Sequence, residues 1–171
     1  MGIHIRLGNA ADIPGIVALL NKAYRGEESR KGWTTEADLI AGDIRTNEAD
    51  VTAVMNEAGS FFLCYQHEEA QLIGCVNLKI QEKRMYLGMF SVVPEQQGNG
   101  IGGQLLQAAE EQARQAGCDT IYMYVISVRG ELINWYQRKG FHDTGTRVPF
   151  EENFTGKHLQ PLEFAILEKD L

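Results

Sequence analysis

The chain has 171 residues, of which 44% are hydrophobic and 23% are charged, and its formal net charge at pH 7 is −7. This length is typical of one domain that buries about 70% of the surface its unfolded chain exposes, so we expect residues 1–171 to form a single domain. The negative charge disfavours nucleic acid as the main partner, and no apolar run approaches the roughly 18 residues that span a membrane.

The N-terminal segment predicts a strand followed by a helix. Residues 3–7 alternate between apolar and polar side chains, which is typical of a strand with one buried face. The same stretch lacks the apolar core of a secretory signal peptide, so we expect a cytoplasmic protein. Asp12 is predicted to be the N-cap of a helix with Pro14 in its first turn, and apolar residues at helical spacing continue to Ala23.

The next region predicts a loop and a second short helix. Residues 24–33 contain two glycines and a run of mixed charges, which break the helical periodicity. Thr34 or Thr35 is predicted to cap a helix with Glu36 and Asp38 in its first turn, where carboxylates suit the positive end of the helix dipole.

The centre of the chain predicts a third helix and then three antiparallel strands. Residues 47–58 carry apolar side chains on one side, and Gly59 is a stop signal. The following segments are rich in β-branched and aromatic residues and are separated by polar breaks, and they are residues 60–67, 71–81 and 84–93.

The C-terminal third predicts alternating helices and strands. Its elements are a helix from Ile101 to Gly117, a strand buried on both faces at 120–126, a helix at 131–139 ended by Gly140, and strands at 141–147 and 162–168. The strand-helix-strand order implies a locally parallel pair in a mixed sheet. The long polar loop between the last two strands is of a kind that is often functional. We predict an α/β (α+β) fold with a mixed, mostly antiparallel sheet of about six to seven strands and with helices on both faces.

Four glycines lie between the last of the three central strands and the following helix, namely Gly98, Gly100, Gly102 and Gly103. A helix start exposes unpaired N–H groups and a partial positive charge, and glycine lets a phosphate reach them, so we predict a phosphate cradle. The spacing also fits G-x-G-x-x-G of nicotinamide dinucleotide enzymes, but the preceding antiparallel strands and the lack of an acidic residue after the next strand oppose that alternative. A P-loop would need Lys-Ser/Thr after the glycines.

The segment Val92-Val93-Pro94-Glu95-Gln96-Gln97-Gly98-Asn99-Gly100-Ile101-Gly102 resembles V-x-P-x-x-[R/Q]-G-x-G-[I/L]-G, the acyl-CoA loop of GNAT N-acetyltransferases. The resemblance implies that acetyl-CoA is the acetyl donor and that the strand before the loop splays from its parallel neighbour. A freed N–H on that strand would then polarise the thioester carbonyl. The resemblance implies that the cofactor is bound mainly by backbone groups. Those for the pyrophosphate belong to Gly98, Asn99, Gly100, Ile101, Gly102 and Gly103, and those for the pantetheine arm belong to Phe90, Ser91 and Val92. Gln97 of the same motif is also a candidate cofactor-binding residue.

The segment Trp135-Tyr136-Gln137-Arg138-Lys139-Gly140-Phe141 resembles a second motif of the family, L/F-Y-x-x-x-G-F. The resemblance implies that Tyr136 is the catalytic acid that protonates the leaving thiolate; a core tyrosine is the structural alternative. Arg129 stands where many members have a cofactor-binding Asn, and we include it as a candidate for a CoA phosphate. Tyr86 stands where some members have a catalytic glutamate, so no general base carries over, and water assisted by Glu82 or a loop carboxylate is one route.

The resemblance also places the acceptor between two loops, at 24–35 and 148–161. The candidate acceptor-binding residues, chosen as carboxylates and aromatics that could hold an ammonium group, are Glu27, Glu28, Trp33, Tyr86 and Phe150. Solvated loop charges are the structural alternative. The cysteines and histidines lack metal-ligand spacing, so no metal is expected.

These observations predict an acyltransferase that moves acetyl from acetyl-CoA to a primary amine by direct attack, without a covalent enzyme intermediate. Two alternatives remain at this point: a non-catalytic acyl-CoA-binding sensor or subunit, and a nicotinamide dinucleotide-binding enzyme. The sequence leaves the acceptor and the oligomeric state open, although small members of the family often form homodimers.

Overall fold

The computed structural model describes residues 4–25, 29–30, 32–37, 39–41, 45–66, 71–149, 157–158 and 162–171. The helices are α1 (Ile13–Tyr24), α2 (Glu48–Asn56), α3 (Ile101–Gln115) and α4 (Gly130–Arg138). The strands are β1 (His4–Leu7), β2 (Ile40–Ala41), β3 (Ser60–Gln66), β4 (Leu72–Gln81), β5 (Arg84–Val92), β6 (Thr120–Ile126), β7 (His142–Pro149), β8 (Lys157–His158) and β9 (Glu163–Asp170).

Seven of these strands form one mixed sheet in the order β1-β3-β4-β5-β6-β9-β7, and β2 pairs with β8 separately. β5 and β6 are parallel, while the other neighbours in the sheet are antiparallel. The mixed, mostly antiparallel α/β fold predicted from the sequence is therefore confirmed. Among the described residues, no helix is both long and apolar enough to cross a membrane.

Successive side chains on the central strands point to opposite faces of the sheet, and on each face they form an apolar cluster. On β3, Phe62 and Cys64 join the cluster that packs against α1 and α2, whereas Leu63 and Tyr65 join the cluster that packs against α3. This alternation follows from the two-residue period of a strand. The helices therefore cover both faces of the sheet, as predicted.

The pairing of β5 with its parallel neighbour is short. It joins Arg84–Tyr86 to Thr120–Tyr122 and goes no further along either strand. β4 holds the opposite edge of β5 up to Val92, with a register shift between Cys75 and Asn77. The C-terminal half of β5 is thus paired on one edge and splayed from β6 on the other, which confirms the splayed parallel pair.

Asp12 is the N-cap of α1 as predicted, whereas two other local predictions were wrong. Asp12 occupies the N-cap position of α1 but makes no capping hydrogen bond, because its carboxylate instead binds Arg6 at 2.8 Å and the Asn9 N–H. Residues 34–36, predicted to begin a helix, have no regular secondary structure. On β6, predicted to be buried on both faces, Tyr124 is 44% exposed.

Candidate functional site

The glycine loop joins β5 to α3 in a conformation that glycine alone adopts readily. Gly98 has φ +88° and Gly100, the residue preceding α3, has φ +82°. A Cβ at either position would meet nothing within 4 Å, so backbone conformation, and not crowding, requires glycine there. No side chain caps α3, and its N-terminal N–H groups remain available to an anion.

A cavity of about 740 Å³ opens beside this loop, and we name it the glycine-loop cavity. It is lined by Tyr24, Trp33, Thr34, Phe90, Ser91, Val92, Gln97, Gly98, Gly100, Gly102, Gly103, Gln104, Gln107, Glu131, Leu132, Trp135, Tyr136, Arg138 and Lys139. Most of the cofactor-binding residues implied by the sequence are in this set. Asn99 and Ile101 are not: the Asn99 amide donates to Gln96, and the Ile101 side chain is buried in the core.

The Gln97 side chain is fully engaged within the protein. Its Oε1 accepts hydrogen bonds from the N–H groups of Trp33 at 2.8 Å and Thr34 at 3.3 Å. Its Nε2 donates to Thr34 Oγ1 at 2.8 Å and to the Val92 carbonyl at 2.9 Å. Gln97 therefore ties the loop after α1 to the end of β5.

Aromatic rings form one wall of the glycine-loop cavity. The Trp135 ring lies 6.2 Å from Phe90, 6.3 Å from Trp33 and 5.1 Å from Tyr136. Lys139 Nζ lies 5.3 Å from the centre of the Trp135 ring. The cavity thus combines an apolar wall, the N-terminus of α3 and two cationic side chains, Arg138 and Lys139.

Tyr136 is buried within this aromatic group. Burial, with a smaller contribution from Tyr24, raises the pKa of its hydroxyl well above the usual value, so the phenol stays protonated at neutral pH. No described residue hydrogen-bonds to that hydroxyl. Its proton is therefore free to be donated to a group entering the cavity.

The splayed half of β5 carries a local distortion beside the cavity. Met89 has φ +46°, and two β5 residues, Met89 and Phe90, stand opposite one residue of β4. The Tyr24 hydroxyl donates to the Phe90 carbonyl, and burial raises the pKa of Tyr24 to about 12, an increase that the Arg129 charge opposes. α1 thus holds the bulge through Tyr24.

A second cavity of about 530 Å³ lies on the other side of Phe90, and we name it the arginine cavity. It is lined by Tyr24, Arg25, Glu36, Arg45, Tyr86, Leu87, Gly88, Met89, Phe90, Met123, Tyr124, Val125, Ile126, Arg129, Leu132, Tyr136, Val148, Pro149 and Phe164. The two cavities share Tyr24, Phe90, Leu132 and Tyr136. The two cavities therefore adjoin one another at these four residues, which we name the cavity junction.

The arginine cavity contains a buried charge cluster centred on Glu36. Arg25 binds Glu36 Oε1 through Nη2 at 3.0 Å, and Arg129 Nη1 lies 3.4 Å from Glu36 Oε2. Arg129 Nη2 also donates to the Thr34 carbonyl. Arg129 was assigned to a CoA phosphate, but its guanidinium lines the arginine cavity and not the glycine-loop cavity, because Glu36 and Thr34 hold it there.

The structure separates the predicted acceptor-binding residues. Tyr86 lines the arginine cavity, whereas Trp33 lines the glycine-loop cavity against Trp135. Glu27, Glu28 and Phe150 lie outside the described residues.

Sequence reasoning did not single out several residues that line these cavities. They are Tyr24, Glu36, Arg45, Gln104, Gln107, Arg138 and Lys139. None of them belongs to a local motif except the last two, which follow Tyr136 in the sequence. The position of Arg138 and Lys139 within the motif Trp135–Phe141 was the one available signal.

Comparisons with known proteins agree with this geometry. The model of the acetyltransferase (GNAT) family matches residues 15–141. N-acetyltransferase 8B of Homo sapiens is 29% identical over an alignment of 124 residues that covers 68% of this chain and 53% of that protein. The chain therefore spans about half the length of that relative.

A second relative and a solved structure match the chain over more of its length. The L-methionine sulfoximine/L-methionine sulfone acetyltransferase of Pseudomonas aeruginosa is 27% identical over 165 residues, covering 90% of this chain and 88% of that protein. The PaiA N-acetyltransferase of Thermoplasma acidophilum, solved in complex with coenzyme A, superposes with a TM-score of 0.69 over the whole of both chains at 20% identity. The fold, the glycine loop and the match over residues 15–141 agree, and the chain belongs to the acetyltransferase (GNAT) family.

Proposed function

We propose that this protein transfers an acetyl group from acetyl-CoA to a primary amine of a small molecule or peptide. The observation that carries the proposal is that two cavities, one beside a phosphate-binding type of loop and one that contains a cluster of arginines, adjoin one another at the shared lining residues Tyr24, Phe90, Leu132 and Tyr136. Two substrates bound in separate cavities react directly at such a junction, so no covalent enzyme intermediate is needed.

The residues of the glycine-loop cavity suit the parts of acetyl-CoA. The positive φ of Gly98 and Gly100 and the uncapped start of α3 suit a pyrophosphate, and Lys139 and Arg138 add positive charge at the same cavity. The β5 edge that faces away from β4 is unpaired with β6 beyond Tyr86, so its backbone groups suit the amide-rich pantetheine arm. Acetyl-CoA supplies the activated acetyl group.

Gln97 has a different role in this proposal from the one its motif position implies. All the hydrogen bonds made by its amide go to Trp33, Thr34 and Val92. It therefore positions the loop whose residues Trp33 and Thr34 line the glycine-loop cavity, and the phosphates are bound by backbone groups, Arg138 and Lys139.

Tyr136 serves as the proton donor to the leaving sulfur in this proposal. Its raised pKa keeps the proton on the oxygen, and the same water-poor surroundings raise the pKa of a thiol that leaves beside it. Proton donation thus depends on the pKa values that the phenol and the thiol have in this shared environment, and not on their pKa values in water. Backbone N–H groups on the splayed half of β5 stabilise negative charge on the carbonyl oxygen.

Removal of the amine proton is assigned to water. Glu36, the carboxylate among the described lining residues of the arginine cavity, is held by two guanidinium groups. Glu82 lies in the β4–β5 turn with φ +60° and lines neither cavity. An amine that enters in its neutral form needs no dedicated base before attack.

A non-catalytic acyl-CoA-binding role is the second candidate, and the observation in its favour is that Tyr86 stands where a catalytic glutamate would be. Two measurements separate the possibilities: thermal stabilisation by CoA and by NAD, and thiol release from acetyl-CoA over a panel of amines. The proposed function predicts stabilisation by CoA and amine-dependent thiol release. CoA binding without thiol release would favour the sensor, and stabilisation by NAD alone would contradict both.

A further inference from the structure

The arginine cavity is positively charged, although the whole chain carries a net charge of −7. Its described lining residues include three guanidinium groups, those of Arg25, Arg45 and Arg129, and one carboxylate, that of Glu36. The described lining therefore has an excess of two positive charges. A cavity of this charge repels a purely cationic acceptor and attracts an anionic group.

The carboxylate of Glu36 is shared by two of these arginines, and among the described lining residues no carboxylate contacts the third. Glu36 contacts Arg25 at 3.0 Å and Arg129 at 3.4 Å. Among the residues that the structure describes, no hydrogen bond or ion pair of the Arg45 guanidinium is found. Within the part of the chain that the structure describes, the Arg45 donors therefore have no protein acceptor, and Arg45 lines the cavity.

The backbone beside Arg45 is fixed by α1. Asn21 Oδ1 accepts from the N–H groups of Arg45 and Thr46, and Asn21 Nδ2 donates to the Thr46 carbonyl at 3.2 Å. Arg45 also lies close enough to Tyr24 and Tyr86 for its charge to oppose the rise in pKa that burial causes in both phenols. A half-buried guanidinium that extends from an anchored backbone and lies close to Tyr24 is suited to recognition of a ligand.

The remainder of the cavity is mostly apolar. Met89, Met123, Val148 and Phe164 contribute hydrophobic side chains, and Tyr86 contributes an aromatic ring. The Arg129 guanidinium lies 5.9 Å from the ring centre of Tyr24, and Tyr24 also lines the glycine-loop cavity. Positive charge is therefore close to the junction, and apolar surface continues away from it.

We propose that the acceptor is an amine that also carries a carboxylate and an apolar side chain, as an α-amino acid does, with the carboxylate bound by Arg45 and Arg129. This proposal rests on the proposed function, because it assigns the substrate class of the same site. The carboxylate adjacent to the amine binds the guanidinium groups near the junction, the amine faces Tyr136, and the side chain occupies the apolar part of the cavity.

The test uses pairs of amines that differ only in the carboxylate: L-leucine with 3-methylbutylamine, and L-phenylalanine with 2-phenylethylamine. We measure kcat/KM by thiol release, and binding of each amine to the CoA-loaded protein by calorimetry. A hydrogen-bonded charge pair predicts that kcat/KM and the binding constant are each about ten- to a hundredfold higher for the amino acid than for its partner amine.

Substitution of Arg45 locates the effect. Arg45→Gln is expected to lower the ratio of kcat/KM for the amino acid to kcat/KM for its partner amine by about tenfold. Arg45→Lys is expected to retain part of this ratio, because lysine keeps the charge but lacks the planar guanidinium group that binds a carboxylate through two hydrogen bonds. Arg84→Gln is the matched control, since Arg84 binds Glu168 on the sheet and lines neither cavity.

The outcomes distinguish failure of the acceptor assignment from failure of the proposed function. Three results would overturn the acceptor assignment alone. They are equal kcat/KM for amino acids and their partner amines, a ratio of these kcat/KM values that Arg45→Gln leaves unchanged, and no binding of any amino acid to the CoA-loaded protein. Failure of CoA to bind would overturn the proposed function and the acceptor assignment together.

Discussion

The side-chain oxygen of Gln97 accepts a hydrogen bond from the backbone N–H of Trp33 at 2.8 Å. The same oxygen accepts from the next N–H, that of Thr34. Arginine, the commoner residue at this position of the motif, has five donors and no acceptor. Glutamine at this position thus makes an attachment between the two loops that arginine cannot make.

Gln97→Arg is expected to release this attachment. Two backbone N–H groups would lose their acceptor, which lowers the free energy of unfolding by about 1 kcal/mol and the unfolding temperature by about 2–4 °C. Thermal unfolding measures the effect. Gln107→Arg is the matched control, because Gln107 lines the same cavity at an exposed position. Equal unfolding temperatures for the two variants would contradict the role of Gln97.

Gly100→Ala is expected to weaken both folding and CoA binding. An alanine at φ +82° costs about 1–2 kcal/mol, and its methyl group stands at the start of α3, where the phosphates are proposed to bind. Gly117→Ala is the control, since Gly117 has φ +80°, equally open surroundings and a position at the far end of α3.

The readout for this pair is the unfolding temperature with and without CoA. Both variants should lose similar stability without the ligand, and Gly100→Ala alone should lose the stabilisation that CoA provides. A loss of CoA stabilisation in both variants would indicate a general effect on α3.

Tyr136→Phe is expected to lower kcat by about 10²- to 10⁴-fold with little change in CoA affinity, because it removes the proton donor and keeps the ring. Tyr122→Phe is the control: its hydroxyl binds Gln81, and it lines neither cavity. Steady-state kinetics and CoA titration provide the two measurements. Undiminished turnover in Tyr136→Phe would assign Tyr136 to packing.

The pH dependence follows from the same hydroxyl. Because burial raises the pKa of Tyr136, its protonated form persists above pH 10, the usual pKa of tyrosine. Turnover should therefore show no loss from Tyr136 ionisation between pH 7 and pH 10. A decline over that range that is present in the wild type and absent from Tyr136→Phe would contradict the raised pKa.

Glu36→Gln is expected to destabilise the fold by about 3–5 kcal/mol, because two largely buried guanidinium groups lose their shared countercharge. Glu95→Gln is the control: Glu95 pairs with Lys22 at the exposed surface, where such a pair contributes at most about 1 kcal/mol. Denaturant unfolding of both variants measures the difference. Similar midpoints would show that the buried cluster contributes no more than a surface pair.

The elements with strong local signals were predicted closely from the sequence. α2, α3 and α4, and the strands β3, β4 and β5, agree with the predicted segments to within a few residues. The spacing of hydrophobic residues and the glycines at helix ends, such as Gly117, are signals contained in a few neighbouring residues. Such signals can therefore be recognised in the sequence without knowledge of the fold. Residues 34–36 depart from prediction because Thr34 and Glu36 bind Gln97 and the arginines, which local propensity does not register.

The glycine loop and the order along the chain of the strands that form the seven-stranded sheet follow from the sequence, and they indicate the family. Positive φ and an uncapped helix start are local properties, and Gly98 and Gly100 encode them directly. The tertiary structure alone decided that Gln97 faces Thr34, that Arg129 binds Glu36, and that Arg45 lines the cavity beyond Phe90. These contacts join residues far apart in sequence. Their ion pairs and hydrogen bonds form only after the sheet has folded and placed the loops next to one another.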